Sequence, residues 1–230
     1  MTNVIVIAPH EDDEILGCGG TIASHCAAGD HVTVVALTSG NPARYTPDEI
    51  AITREEFKRV HDTLGVEEQV FFDFPAPGLE AIPVYEVADQ LRPVIQRVRP
   101  EVVYTPFGGD LHRDHKIAYS ATLVVTRPIG DCTVRRLLCY ETLSETEWGD
   151  VLTQNAFIPN VFNDIGDYLD KKLAAMAGYK SQLRDAPHPR SLETIRMLAR
   201  LRGAACGLHA AEAFCLVREV FSANGRRGPA

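Results

Sequence analysis

The chain has 230 residues, 45% of them hydrophobic and 23% charged, with a formal net charge of −8. That length suits one well-cored globular domain, and the acidic balance argues against a protein built to grip nucleic acid or an anionic membrane surface. The six cysteines are scattered and form no C-x-x-C pair, which argues against a disulfide framework or structural zinc site and points to a reducing, cytoplasmic setting. No apolar run has the length needed to span a bilayer, so no membrane insertion is expected.

The first predicted element is the most informative. Val4-Ile5-Val6-Ile7-Ala8 is a short β-branched run of the kind buried on both faces of a parallel sheet. It stops at Pro9, and His10-Glu11-Asp12-Asp13-Glu14 follows at once. Ligands of open α/β sheets bind just outside the carboxyl ends of the strands. Gathering one His and several carboxylates there is costly unless a cation is bound. His10 and Asp13 offer a nitrogen and an oxygen donor suited to a small divalent metal, zinc first. Asp12 can face the same centre without being a ligand. The competing reading is an acidic first helical turn, where carboxylates are favoured by the dipole alone.

A helix is predicted over 16–28, its glycines allowing close packing on the sheet. Gly17, Gly19 and Gly20 match a dinucleotide-binding fingerprint poorly, because an acidic insertion separates strand from glycines and the third glycine is missing. A second strand over 31–38 leads to a helix over 47–64, with Pro47 suited to its first turn and Gly65 to its end. A third strand over 69–74 precedes a proline-rich loop, and a helix over 82–98 is expected to kink or start late at Pro93. The fourth strand covers 101–105, followed by a helix over 114–126 and a strand over 135–142. Residues 143–156, with the sole tryptophan Trp148, read as a loop over the site. A short strand over 160–165, a helix over 168–183 capped by Asp164, a helix over 191–205 and a strand over 213–221 complete the order. Alternation of strands and helices gives the fold class: α/β, a Rossmann-like doubly wound, mostly parallel sheet flanked by helices, in a single domain over 1–221, with 222–230 a disordered tail.

The second chemical centre follows the fourth strand, at Pro106-Phe107-Gly108-Gly109-Asp110-Leu111-His112-Arg113-Asp114-His115. On a helix, His112 and His115 share a face and can turn toward the strand end that carries His10 and Asp13. Two such clusters at two strand ends favour a metal centre over a solvated helix start. A His, Asp, His set with an open fourth position is a catalytic arrangement that activates water at neutral pH.

Pro9-His10-Glu11-Asp12-Asp13-Glu14 and His112-Arg113-Asp114-His115 together resemble the motifs of the LmbE-like, or PIG-L, family of zinc-dependent N-deacetylases. Thr53-Arg54-Glu55-Glu56, Tyr179-Lys180-Ser181-Gln182 and Ala211-Glu212-Ala213-Phe214 extend the resemblance over most of the chain. It implies removal of an acetyl group from an N-acetylglucosaminyl conjugate, a small-molecule partner. The implied metal ligands are His10, Asp13 and His115, holding Zn(2+), with Fe(2+) or Co(2+) accepted by the same donors. The implied roles are general base for Asp12, electrophilic partner or acid for His112, orientation of His112 for Asp114, and substrate contact for Arg54. Glu11 replaces the proline usual in the first motif, at a position that points away from the chemistry in the family. Asp110 stands where some relatives place a mobile tyrosine. His25, His31 and His61 are read as structural or surface residues, as are Glu14 and Glu212. His188 and His209 rank low as pocket residues, and loops 75–81 and 143–156 are expected to set the substrate. The alternatives are hydrolysis of another amide or a carbamoyl-like substrate, or a non-catalytic sugar- or metal-binding module, which would need neither Asp12 nor His112.

Overall fold

β1 (Asn3–Ala8) is the hub of the molecule, because its side chains alternate between two cores. Val4 and Val6 face one cluster, and Ile5 and Ile7 face the other. A strand buried on both faces needs helices on both sides of the sheet, and the chain supplies them. The computed structural model describes residues 1–150 and 155–221. The tail expected to be disordered lies outside them.

In chain order β1 is followed by α1 (Asp13–Ala27), β2 (His31–Gly40), α2 (Pro47–Leu64), β3 (Glu68–Ala76), α3 (Val84–Val98), β4 (Val102–Pro106) and α4 (Arg113–Val125). Then come β5 (Arg136–Tyr140), β6 (Val161–Asp164), α5 (Leu169–Gly178), α6 (Leu192–Ala204) and β7 (Ala211–Glu219). The sheet order is β3-β2-β1-β4-β5-β7-β6, parallel through β5 and antiparallel where β7 pairs with β5 and β6. This is the expected single-domain doubly wound α/β fold. The order reverses direction between β1 and β4, so the cleft beyond their carboxyl ends lies at the topological switch point. Among the described residues, no helix is long and apolar enough to cross a membrane.

α2 starts and stops as its sequence predicts. Thr46 accepts from the Glu49 amide and Glu49 reaches back in a capping box, while Gly65 ends the helix at φ 83°. Three expectations change. Pro93 sits inside α3 without delaying its start. α5 stops at Gly178, five residues before the predicted limit of 183. The cause is Tyr179, which leaves helical geometry at ψ 67° and buries its ring completely, its hydroxyl donating to Glu14 Oε1 at 2.7 Å. Asp164 does not cap α5 as expected: Tyr168 holds the N-cap position without a side-chain hydrogen bond, and Asp164 accepts instead from the Gly166 amide at 2.9 Å.

The glycines of α1 serve packing. A Cβ at Gly17 would lie 2.2 Å from the Tyr140 ring, and one at Gly20 would lie 2.8 Å from Ile165. The helix is interrupted at Cys18, where φ is −136°. An interruption frees amides on one side and carbonyls on the other, which must find partners when buried. Glu212 of β7 accepts from the Gly20 and Thr21 amides at 2.9 and 2.7 Å. Lys172 of α5 donates to Leu16 O at 2.8 Å and to Glu212 Oε1 at 2.6 Å. Both side chains are buried, so removing one charge strands the other. Glu212→Gln is expected to lower unfolding stability by ~3–5 kcal/mol in denaturant titration, with Lys172→Met in the same chain recovering part of the loss. A cost below ~1 kcal/mol would show that the pair does not bridge the interruption.

Candidate metal centre

Pro9 turns the chain out of β1, and its carbonyl accepts from the Thr38 amide and hydroxyl at 3.2 and 2.7 Å. This ties the His10 loop to β2. α1 begins at Asp13, while α4 begins at Arg113 with His112 as its cap. The two motifs, a hundred residues apart in sequence, therefore meet across neighbouring strands β1 and β4.

The meeting point is one carboxylate oxygen. Asp13 Oδ2 accepts from the His10 amide at 2.9 Å and lies 3.1 Å from His10 Nδ1 and 3.2 Å from His115 Nε2. The outer nitrogen of each imidazole faces another carboxylate. His10 Nε2 is 3.0 Å from Asp114 Oδ2, and His115 Nδ1 is 2.8 Å from Asp110 Oδ2. Carboxylates in such positions fix a histidine's tautomer and aim its other nitrogen inward. With its proton on Nδ1, His115 presents an Nε2 lone pair that is buried and takes no hydrogen bond among the described residues.

Donor atoms of His10, Asp13 and His115 all lie within 4.8 Å of one another. His10, His112 and Asp114 make a second such group, but Asp114 there already faces His10 Nε2. A neutral imidazole has one lone pair, so His10 serves the first group. The electrostatics call for a cation in the gap. Burial opposes charge on His10, yet Asp13 and the hydrogen bonds to Asp114 and Asp13 outweigh it and lift the pKa to about 9. Burial likewise opposes charge on His115, but Asp13 and Asp110 hold its pKa well above the ordinary value. A divalent metal satisfies the same demand, and a two-nitrogen, one-carboxylate donor set fits zinc, iron or cobalt.

Asp12 and His112 stand beside this centre. Asp12 is buried, and its pKa is raised to about 7, first by burial and then by the Asp13 charge, against the pull of Arg190 and His10. His112 is one-third exposed, with its ring centroid 4.7 Å from that of His10. Its Nδ1 accepts from the Asp114 amide at 3.2 Å, which leaves the proton of the neutral ring on Nε2. Burial, with the neighbouring His10, lowers its pKa to about 4. The Asp114 carboxylate is 3.8 Å from His112 Nδ1, so it lies nearer His10 than the histidine assigned to it from sequence.

The centre opens into a cavity of about 550 Å³, lined among others by Thr38, Tyr45, Ile50, Pro77, Glu145 and Arg190. Both loops expected to set the substrate contribute: Ala76 and Pro77 from one, Ser144 and Glu145 from the other. Thr146 of the second loop donates to Asp110 Oδ1 at 2.6 Å, tying that loop to His115. Residues 151–154 of the loop lie outside the described residues. Arg54 does not line the cavity. Its Nε lies 2.9 Å from Glu11, its Nη2 donates to Phe72 O and Asp73, and its guanidinium stacks 4.6 Å over Phe71. Glu11 itself lines the cavity, and the guanidinium groups in the wall are Arg184 and Arg190.

No sequence pattern singles out Arg190, which follows His188-Pro189 in an irregular stretch. Its Nη1 donates to Asp12 Oδ2 at 3.3 Å. His188 meets the Trp148 ring at 5.7 Å and does not line the cavity, and His209 is likewise outside it. His25 pairs with Asp30 and Tyr104, and His31 with Glu67.

Beneath the centre, Glu14 Oε2 accepts from the Asp12 amide at 3.2 Å, and Glu14 Oε1 lies 3.4 Å from His61 Nε2. Burial pushes the Glu14 pKa well up and drops that of His61 to about 4. His61 Nδ1 donates to Phe57 O at 2.8 Å, so the neutral ring turns its lone pair to the Glu14 carboxyl.

The chain defined by this fold and centre is a Rossmann-like protein with a metal-type site at its switch point. The profile of the PIG-L family (GlcNAc-PI de-N-acetylase) matches residues 5–126, and the chain belongs to that family. The diacetylchitobiose deacetylase of Thermococcus kodakarensis is 29% identical over 229 residues, covering 95% of this chain and 84% of that protein. The conserved protein TT1542 from Thermus thermophilus superposes with a TM-score of 0.74 at 28% identity, covering 99% of this chain and 100% of the other. GalB, the 4-carboxy-2-hydroxymuconate hydratase of Pseudomonas putida, also superposes at 0.74, with 21% identity over 96% of this chain and 98% of its own. A likeness at that level shows the fold alone.

His61 generates a pH prediction. Unfolded His61 takes up a proton below its ordinary value of 6.5, whereas folded His61 stays neutral to about 4. Its contribution is therefore present above 6.5 and lost as pH falls through that window. Urea unfolding is expected to show the wild-type advantage over His61→Asn shrinking from pH 6.5 toward 4, by up to ~3 kcal/mol. An advantage that stays flat from about pH 7.5 to about pH 4.5 would mean that the folded imidazole takes up its proton over the same range as the unfolded one.

Proposed function

We propose that the protein is a metal-dependent hydrolase that removes the acetyl group from an N-acetylglucosamine-type conjugate. One observation carries the reading. Two histidines, each oriented by its own carboxylate, converge on a single Asp13 oxygen at the mouth of a large cleft, with a second aspartate and a neutral histidine on either side. The kinship with a deacetylase of N-acetylated sugars supports the substrate class, and a hydratase on the same fold is why the site must supply the chemistry.

His10, Asp13 and His115 would hold the metal, zinc by donor type. Bound there, a divalent ion polarises the amide carbonyl and makes a coordinated water more acidic. Asp12 takes the proton of the attacking water, and burial, which raises its pKa above the ordinary carboxylate range, acts in the direction a general base needs. His112, neutral with its proton on Nε2, donates a hydrogen bond to the acetyl oxygen as negative charge gathers on it. The carbon–nitrogen bond then breaks, the proton taken by Asp12 passes to the leaving amine, and the acetyl group departs as acetic acid, which gives up its proton to solvent as acetate. Asp114 and Asp110 hold His10 and His115 in register throughout. Arg54 shapes the cavity wall through Glu11. A cleft of about 550 Å³ is in the range of small-molecule sites and leaves room beyond the acetamido group for the rest of a conjugate.

The test is free-amine release from a panel of N-acetylglucosaminides with and without added zinc. Asp12→Asn keeps the size of the side chain but cannot accept the proton, so turnover is expected to fall ~100- to 10,000-fold with metal content unchanged. His115→Ala is expected to lose the metal. An Asp12→Asn protein that lost its metal would make Asp12 a ligand, and one that kept full activity would place the base elsewhere.

A further inference from the structure

Asp12 is held in an unusual way. Its backbone sits at φ 134° and ψ −24°, a region that residues with a side chain rarely adopt. Such a conformation is strained and persists only where the surroundings over-determine it. The Asp12 carbonyl accepts from the Ile15 and Leu16 amides at 3.0 and 2.9 Å, and its own amide donates to Glu14. Those contacts fix the backbone. Among the described residues, one hydrogen bond fixes the carboxylate, and it comes from Arg190 Nη1 to Oδ2 at 3.3 Å.

Arg190 is itself anchored. The same Nη1 donates to Gln182 Oε1 at 3.2 Å, and Gln182 Nε2 donates to Ser181 Oγ at 3.2 Å. Ser181 Oγ in turn donates to the buried Glu56 of α2 at 2.5 Å. The Arg190 amide donates to His188 Nδ1 at 3.1 Å, and Ser191 caps α6 immediately afterwards. The guanidinium thus reaches Asp12 from a frame built on α2 and α6. Its side chain is 24% exposed and that of Asp12 is 5%, so water screens the contact little.

We propose that Arg190 is a positioning residue for Asp12: it grips Oδ2 and leaves Oδ1 turned to receive the proton of the attacking water. The proposal rests on the deacetylase reading above. A contact of 3.3 Å is long for a charge-assisted hydrogen bond, and such bonds often shorten only in the substrate complex. The guanidinium fork sets direction as well as charge, so lysine is an incomplete substitute.

The experiment is a double-mutant cycle on amine release, with metal content and unfolding midpoint measured for every protein. Arg190→Ala is expected to lower kcat ~10- to 100-fold, the cost of a misaimed group, with KM within about threefold and metal retained. Guanidinium chloride at tens of millimolar should restore much of the lost rate, and Arg190→Lys should fall between the two. In the Asp12→Asn background, Arg190→Ala should add nothing, because the residue acts through Asp12. A further loss of about tenfold in that background overturns the proposal, as does a raised KM with kcat intact, which would make Arg190 a substrate-binding group. A wild-type protein that releases no amine from any conjugate defeats the deacetylase reading itself, whereas an active wild type with an additive cycle defeats only the role of Arg190.

Discussion

The site depends on the convergence of His10 and His115 on one oxygen of Asp13. Three ionisable groups, largely shut away from water, are tolerable only when charge among them is balanced and each outer nitrogen has a partner. Asp114 and Asp110 provide those partners, one from α4 and one from the loop before it. Against the cost of burial, Asp13 first and these two carboxylates with it hold the pKa values of both imidazoles above the ordinary range. The geometry is that of a candidate metal site.

The sheet determines where this convergence can occur. β1 and β4 are hydrogen-bonded neighbours whose following helices leave on opposite faces, so their ends open a cleft that no crossover covers. α1 must then lie close under the cleft. Gly17 and Gly20 let it approach Tyr140 and Ile165, and the buried Lys172 and Glu212 satisfy the backbone groups that its interruption exposes. A glycine run that superficially resembles a nucleotide loop is here a packing device.

Much of this was legible in the sequence because it is local. The β-branched run of β1, the capping signals of α2 and the two ionisable clusters each depend on a few adjacent residues. The parallel order followed from alternation. What was not legible depends on side-chain direction across long separations. The family resemblance paired Asp114 with His112, two residues away, whereas the carboxylate reaches across to His10 on another strand end. Arg54 carried a family landmark but is drawn to Glu11, the residue that departs from the family pattern. Arg190 comes from an irregular stretch far along the chain from Asp12 and has no periodicity to announce it. α5 ended early because burial of the Tyr179 ring outweighed a continuing helical pattern.

Anomalous scattering from zinc-loaded crystals would locate the metal. One strong peak per chain is expected, bounded by His10 Nδ1, an Asp13 carboxylate oxygen and His115 Nε2 at ~2.0–2.2 Å, with Asp114 and Asp110 still on the outer nitrogens. A peak on His112 and Asp114 instead, or full activity in protein stripped of metal, would contradict that expectation.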